Sequence, residues 1–222
     1  MGRMIGSSSI SFDKPPFIIE GASIVGQKEG DGPLGKLFDV VEQDPMLGQE
    51  TWEEAESLLQ KEAIQKLLFK AGMSKEEIRY IFGGDLLGQL IATTFGILEF
   101  EVPFFGLYGA CSTMGEALSL GAVMVEAGNA DNVIAMASSH FASAERQFRF
   151  PIEYGSLKAK YTTVTATGSV GCVISNEKTK CKIISSTIGS VVDYDIKDVA
   201  NMGAVFLPSI IRHLQSALLS DD

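Results

Sequence analysis

Cys111 sits in the run Gly109-Ala110-Cys111-Ser112-Thr113, between a β-type run over 102–108 and an apolar stretch that extends to about residue 127. A thiol at the start of a helix meets unpaired N–H groups and the positive end of the helix dipole. Both favour a thiolate, and both favour a bound anion. A small buried residue at a tight turn would look the same in sequence. His140 follows Ser138-Ser139 at the end of another β-type run, 132–138. There it can exchange a proton near neutral pH or serve as a core histidine. Arg146 and Arg149 come next, in Ala144-Glu145-Arg146-Gln147-Phe148-Arg149, after a stretch from Arg79 that holds no Lys or Arg. Their planar forks suit a carboxylate or phosphate; pairing with Glu145 or Glu153 is the alternative. Asp85, after Gly83-Gly84, can orient a base or a cation, or cap the helix that follows. Position and charge thus single out Asp85, Cys111-Ser112, Ser138-Ser139-His140 and the arginines Arg146 and Arg149, with Cys111 the candidate nucleophile if the chemistry is covalent.

These residues need a frame, and the chain supplies alternating elements. Phe17-Ile18-Ile19 reads as a first strand. Thr51-Trp52-Glu53-Glu54 is a capping box, followed by apolar residues at Ala55, Leu58, Leu59, Ala63, Leu67, Leu68 and Ala71 and a stop at Gly72. Ser74 and Glu77 form another such box for a short helix. Residues 80–83 are a short β-type run, and a helix over 88–96 follows. Residues 141–160 read as polar and irregular. The β-branched runs 162–175 and 182–192, joined by the hydrophilic 176–180, carry a hairpin signature. A last helix runs from Asp198 or Asn201 to Leu219, with His213 and Arg212 on its solvated face. Strands alternating with helices imply a mostly parallel sheet covered on both faces, made mixed by the closing hairpin. Ligands in such sheets sit beyond the carboxyl ends of strands, where Asp85, Cys111-Ser112 and Ser138-Ser139-His140 fall.

Composition narrows the function classes. Over 222 residues, hydrophobic types make up 45% and charged types 21%, which is ordinary globular composition and excludes disorder as the main state. Lys plus Arg number 18 against 28 for Asp plus Glu, a net charge of −10, so the chain has no basic footprint for nucleic acid. No apolar run approaches the roughly 18 residues a membrane helix needs, and no secretory signal opens the chain. Cys111, Cys172 and Cys181 are an odd number without CxxC spacing, against a disulfide framework or zinc site; Cys172 and Cys181, inside β-type runs, read as core. Gly83-Gly84 and Gly168-Ser169-Val170-Gly171 match neither a P-loop nor a dinucleotide fingerprint. No cofactor and no metal is expected, and a reducing compartment fits.

Gly84-Asp85-Leu86-Leu87, the Gly109–Thr113 turn, Ser138-Ser139-His140, Ala144-Glu145-Arg146-Gln147-Phe148-Arg149 with Glu153-Tyr154-Gly155, and Lys28-Glu29-Gly30-Asp31-Gly32-Pro33-Leu34-Gly35 together resemble the stage V sporulation protein AD family. The likeness runs from about residue 10 to the last helix, and the string after Ser-Ser-His is its most specific part. It implies a thiolase-like layered α/β fold with a mixed, mostly parallel sheet, built from similar halves. Residues 1–222 would be one domain comprising the first half and the opening helix of the second. It implies a dipicolinic acid-binding component of the machinery that moves that acid into the forming spore and out at germination. The ligand would be bound free or as its calcium chelate, around Asp85, Cys111, Ser139, His140 and Arg146. It further implies other SpoVA-type membrane proteins as partners and a place on the cytoplasmic or forespore side, peripheral to the spore inner membrane.

Two departures from the family pattern stand out. The chain ends at Asp222, before the further catalytic residues a thiolase-type enzyme draws from its second half, and an uncovered half would expose an apolar face that invites a homodimer. Residues 156–161 differ from the family's usual proline-containing stretch. Three functions stay open: dipicolinate binding, acyl transfer through a Cys111 thioester as in thiolases and ketoacyl synthases, and a structural subunit whose pocket is a relic.

Overall fold

The computed structural model describes residues 2–148 and 165–197. A ten-residue strand β3 (Phe17–Gly26) runs through its main sheet, with β1 (Arg3–Ile5) and β2 (Ser9–Ser11) preceding it in a small side sheet. After β3 come the short helix α1 (Gln27–Gly30), β4 (Val40–Glu42), the long helix α2 (Trp52–Ala71), β5 (Tyr80–Asp85), α3 (Ile91–Ile97), β6 (Phe104–Gly106), α4 (Thr113–Glu126), β7 (Asn132–Ser139) and α5 (Phe141–Phe148). The remaining strands are β8 (Gly168–Ser175), β9 (Cys181–Lys182) and β10 (Ser185–Thr187). The main sheet has the order β4-β3-β8-β7-β5-β6. β3 and β4 are parallel, β5 is parallel to both β6 and β7, and β8 is antiparallel to β3 and β7. Strands β3 to β7 therefore all point one way, and their carboxyl ends share one edge of the sheet.

The pleat sorts the core. Ile81, Ile134, Met136 and Val173 face α2, with Ile64, Leu67, Ile97 and Phe100; Phe82, Val133, Ala135, Cys172 and Ile174 face α4, with Ala117 and Val125. Successive strand residues thus go to opposite layers, which is why these strands read as nearly continuous apolar runs.

Helix α2 forms where its signals lie. Thr51 Oγ1 accepts the Glu54 N–H at 3.2 Å, Glu54 Oε2 accepts the Thr51 N–H at 3.0 Å, and Gly72 closes the helix at φ 64°. The box at Ser74 starts only a 3-10 turn (Lys75–Glu77), with the Ser74 N–H donating to Glu77 at 2.8 Å. Gly96 lets α3 lie on α2: a Cβ there would stand 2.7 Å from the Ser57 carbonyl oxygen and 3.0 Å from Gln60 Cβ.

Three expectations are corrected. The runs after residue 162 make no hairpin with each other, because β9 pairs with β3 and β10 with β2. Polar spacers signal a turn but not which strand takes the returning chain. Residues 141–148 are helical, because their first N–H groups find acceptors: Phe141 N–H donates to Thr167 Oγ1 at 3.1 Å and Ala142 N–H to His140 Nδ1 at 3.2 Å. Cys181 is exposed on the short strand β9, whereas Cys172 is buried and its thiol is pushed up to about 12 by that burial. Arg149, the loop over 156–161 and the last helix with Arg212 and His213 lie outside the described residues.

Candidate functional site

One edge of the sheet gathers the candidates. Asp85 ends β5, Ser139 ends β7 with His140 behind it, and the Cys111 turn follows β6; β6, β5 and β7 are neighbours in that order. Arg146 lies in α5, which leaves the same edge after β7. Farther along, past β8, the edge continues with the ends of β3 and β4.

Asp85 is buried and holds the loop that starts α3. Its carboxylate accepts from Thr93 Oγ1 at 2.9 Å and from the N–H groups of Leu90 and Thr93, both at 3.3 Å. That loop is strained, with Gln89 at φ 50° and Leu90 at φ 68°. The geometry gives Asp85 the helix-capping role.

Behind Asp85 lies a chain of buried polar side chains that the motifs did not reveal. Gln60 Nε2 donates to Thr93 Oγ1 at 3.1 Å and to Ser138 Oγ at 2.6 Å, and Ser138 Oγ donates to Glu56 Oε1 at 2.8 Å. Ser143 Oγ in α5 lies 2.8 Å from Glu56 Oε2. Glu56 is 2% exposed and Gln60 fully buried. Their sequence signal is positional: they share the inward spacing of Ala55, Leu59, Ala63 and Leu67 on α2, where a carboxylate and an amide need a reason to be.

His140 is fully buried and both ring nitrogens are engaged. Nε2 lies 2.8 Å from the Pro45 carbonyl oxygen, to which it donates, and Nδ1 accepts the Ala142 N–H. The ring stacks on Phe141 at 5.1 Å and sits 5.3 Å from the Trp52 ring. Burial holds its pKa below the ordinary value, opposed by the bond to Pro45, so the ring is neutral. It anchors the loop after β4 and the start of α5. Ser139 Oγ donates to the Ala166 carbonyl oxygen at 2.7 Å, tying β7 to the approach of β8.

Cys111 is exposed in the turn before α4, next to Ala110, which holds φ 48°. Among the described residues no imidazole or carboxylate is hydrogen-bonded to the thiol. A cavity of about 400 Å³ opens where β3 and β4 end, lined by Lys28, Gln43, Pro45, Phe141 and Thr167 among others. Phe141 follows His140 in sequence, but none of Asp85, Cys111, Ser139, His140 and Arg146 is among the residues that line the cavity. Lys28 has no ion-pair partner among the described residues. Those residues contain no cluster of His, Cys, Asp and Glu able to hold a metal.

The chain matches the stage V sporulation protein AD (SpoVAD) family over residues 6–221. Stage V sporulation protein AD of Bacillus subtilis (strain 168) is 37% identical over 207 residues, covering 93% of this chain and 61% of that protein. The chain thus spans about three fifths of that relative's length. Among solved structures, an OleA variant of Xanthomonas campestris aligns with a TM-score of 0.50 at 15% identity, over 75% of this chain and 56% of that one. 3-Oxoacyl-[acyl-carrier-protein] synthase III of Aquifex aeolicus VF5 gives 0.49 at 18%, over 74% and 55%. These identities speak of fold alone, and the layered sheet described above is of that thiolase-like, ketosynthase type. With its match over nearly the full length, the chain belongs to the stage V sporulation protein AD family.

Proposed function

We propose that this chain binds dipicolinate for the uptake and release machinery of sporulation and germination. The observation that carries this reading is the gathering of Asp85, the Cys111 turn, Ser139 and the Arg146 helix on one carboxyl edge, beside a cavity lined by Glu29 and by Lys28, which has no ion-pair partner among the described residues. Dipicolinate is small, planar and doubly negative. On a chain of net charge −10, a local cation has to select such an anion. Arg146 pairs with one carboxylate, and Ser139 and the Cys111 turn provide polar contacts. Asp85 and His140 complete the set as the residues that hold the walls, since the carboxylate of one and the ring nitrogens of the other are already committed to the protein.

Acyl transfer is the weaker reading. A thioester-forming cysteine needs a base within hydrogen-bond reach, and both ring nitrogens of His140 are engaged elsewhere. The absence of a membrane-length apolar helix among the described residues fits a peripheral position at the spore inner membrane, on its cytoplasmic or forespore side, held by SpoVA-type membrane proteins. Exposed Phe95 on α3, Leu98 just after it, and Phe105 and Tyr108 on and after β6, an edge strand among the described residues, support a homodimer.

Calorimetry with millimolar dipicolinate, with and without calcium, tests the function. Heat of binding that is lost in Arg146→Ala is expected. No heat, or unchanged affinity in the variant, contradicts it.

A further inference from the structure

Glu56 and Asp85 are buried carboxylates joined through side chains alone. Thr93 donates to Asp85, Gln60 to both Thr93 and Ser138, and Ser138 to Glu56, so the direction of each hydrogen bond is fixed. Neither carboxylate has an ion-pair partner among the described residues. An uncompensated charge in the interior is costly, and a neighbouring one of like sign adds to the cost. Burial raises the Glu56 pKa; bonds from Ser138 and Ser143 oppose this, and Asp85 and Glu53 add to it.

The far oxygen of Glu56 shows which form fits. Ser143 Oγ lies 2.8 Å from Glu56 Oε2 and 3.0 Å from the His140 carbonyl oxygen, and a hydroxyl has one proton to give. With Glu56 ionised, Ser143 can serve only one of these acceptors. With Glu56 protonated on Oε2, the acid donates to Ser143 and Ser143 donates to His140, so both short contacts are hydrogen bonds at once.

We infer that Glu56 is a positioning residue of the candidate site, which in its protonated form donates to Ser143 and so ties the first turn of α5 to α2 and to the end of β7. Arg146 lies three residues beyond Ser143. The inference therefore rests on the dipicolinate reading for its consequence, though not for its geometry. The other titratable or charged groups around Glu56 are Asp85 from β5, Glu53 from α2 and the neutral His140 after β7; α3 presents Thr93, which does not titrate, and α5 carries Glu145 and Arg146 in its sequence. Raising the pH removes the Glu56 proton, turns the Ser143 hydroxyl and places a second negative charge behind a site for an anion, so dipicolinate affinity falls.

Two measurements on the full chain test this. Infrared difference spectra of the ligand-free protein against Glu56→Gln, taken above the ordinary glutamate pKa of about 4.3, should show the carbonyl stretch of a buried carboxylic acid in the wild type only. In Ser143→Ala that band should move, because its acceptor is gone. A wild type without the band, or a band indifferent to Ser143→Ala, overturns the inference whether or not dipicolinate binds. In calorimetry across the pH range over which that band is lost, wild-type affinity should fall by roughly tenfold more than that of Glu56→Gln. Equal pH dependence in the two proteins overturns it. If neither protein binds dipicolinate, the function reading fails and the infrared result alone decides the role of Glu56.

Discussion

Ser138, at the carboxyl end of β7, donates its hydroxyl proton to Glu56 in helix α2 across 2.8 Å. The contact joins residues 82 apart in sequence and crosses from the sheet to the helix that covers it. It fixes the strand end from which Ser139 and His140 project, so the placement of the site depends on a helix that carries none of the predicted ligand contacts.

Removing that hydroxyl leaves Gln60 Nε2 and Glu56 short of a partner in a buried place. Ser138→Ala is expected to destabilise the fold by about 1–3 kcal/mol, the usual cost of orphaned buried polar groups. Urea unfolding of variant and wild type measures it, and a loss near zero would show that the network adds little.

Acid and base act in opposite senses on the buried pair His140 and Glu56. His140 is held below its ordinary pKa by burial, so its share of stability is present above that ordinary value, about 6.5, and is lost as pH falls through the depressed one. Glu56 is raised by burial, so its share is present below the ordinary carboxyl range and is lost as pH rises through the raised value. Thermal unfolding across pH should show Glu56→Gln flattening the alkaline side only. A variant that instead flattened the acid limb would contradict these assignments.

The close approach of α3 to α2 makes Gly96 intolerant of even a methyl group. Gly96→Ala gains up to about 1 kcal/mol of helix propensity but sets a Cβ 2.7 Å from the Ser57 carbonyl oxygen, which is backbone and cannot swing aside. Overpacking of this kind costs about 1–3 kcal/mol. A net loss of stability in denaturant melts is expected, and a stabilised variant would refute the packing.

Much of the frame was legible because its signals are local. Thr51 and Glu54 mark the start of α2, Gly72 marks its end, and the apolar runs ending at Asp85 and Ser139 are the strands that carry them. The strand-end rule then placed Asp85, Cys111 and Ser139 on one edge. Long-range choices were not legible. Lys182 pairs with Phe17, and nothing in either residue names the other. Helix α5 depends on Thr167 and His140 for its first acceptors, so its own residues under-report it. Glu56 and Gln60 belong to no motif; their signal is polarity on the inward face of α2, beside Ala55, Leu59, Ala63 and Leu67.

The thiols separate by environment. Maleimide should modify Cys111 and Cys181 readily and Cys172 only on unfolding, since Cys172 is buried with its thiol pushed up to about 12. Peptide mass spectrometry after a timed reaction gives the order, and early modification of Cys172 would contradict the described core.

The same labelling reaction locates the ligand. With saturating dipicolinate present, Cys111 should be alkylated several-fold more slowly while Cys181, on a separate strand pairing with β3, reacts at its unliganded rate. Unchanged rates at both thiols would contradict a dipicolinate site at the carboxyl edge of the sheet.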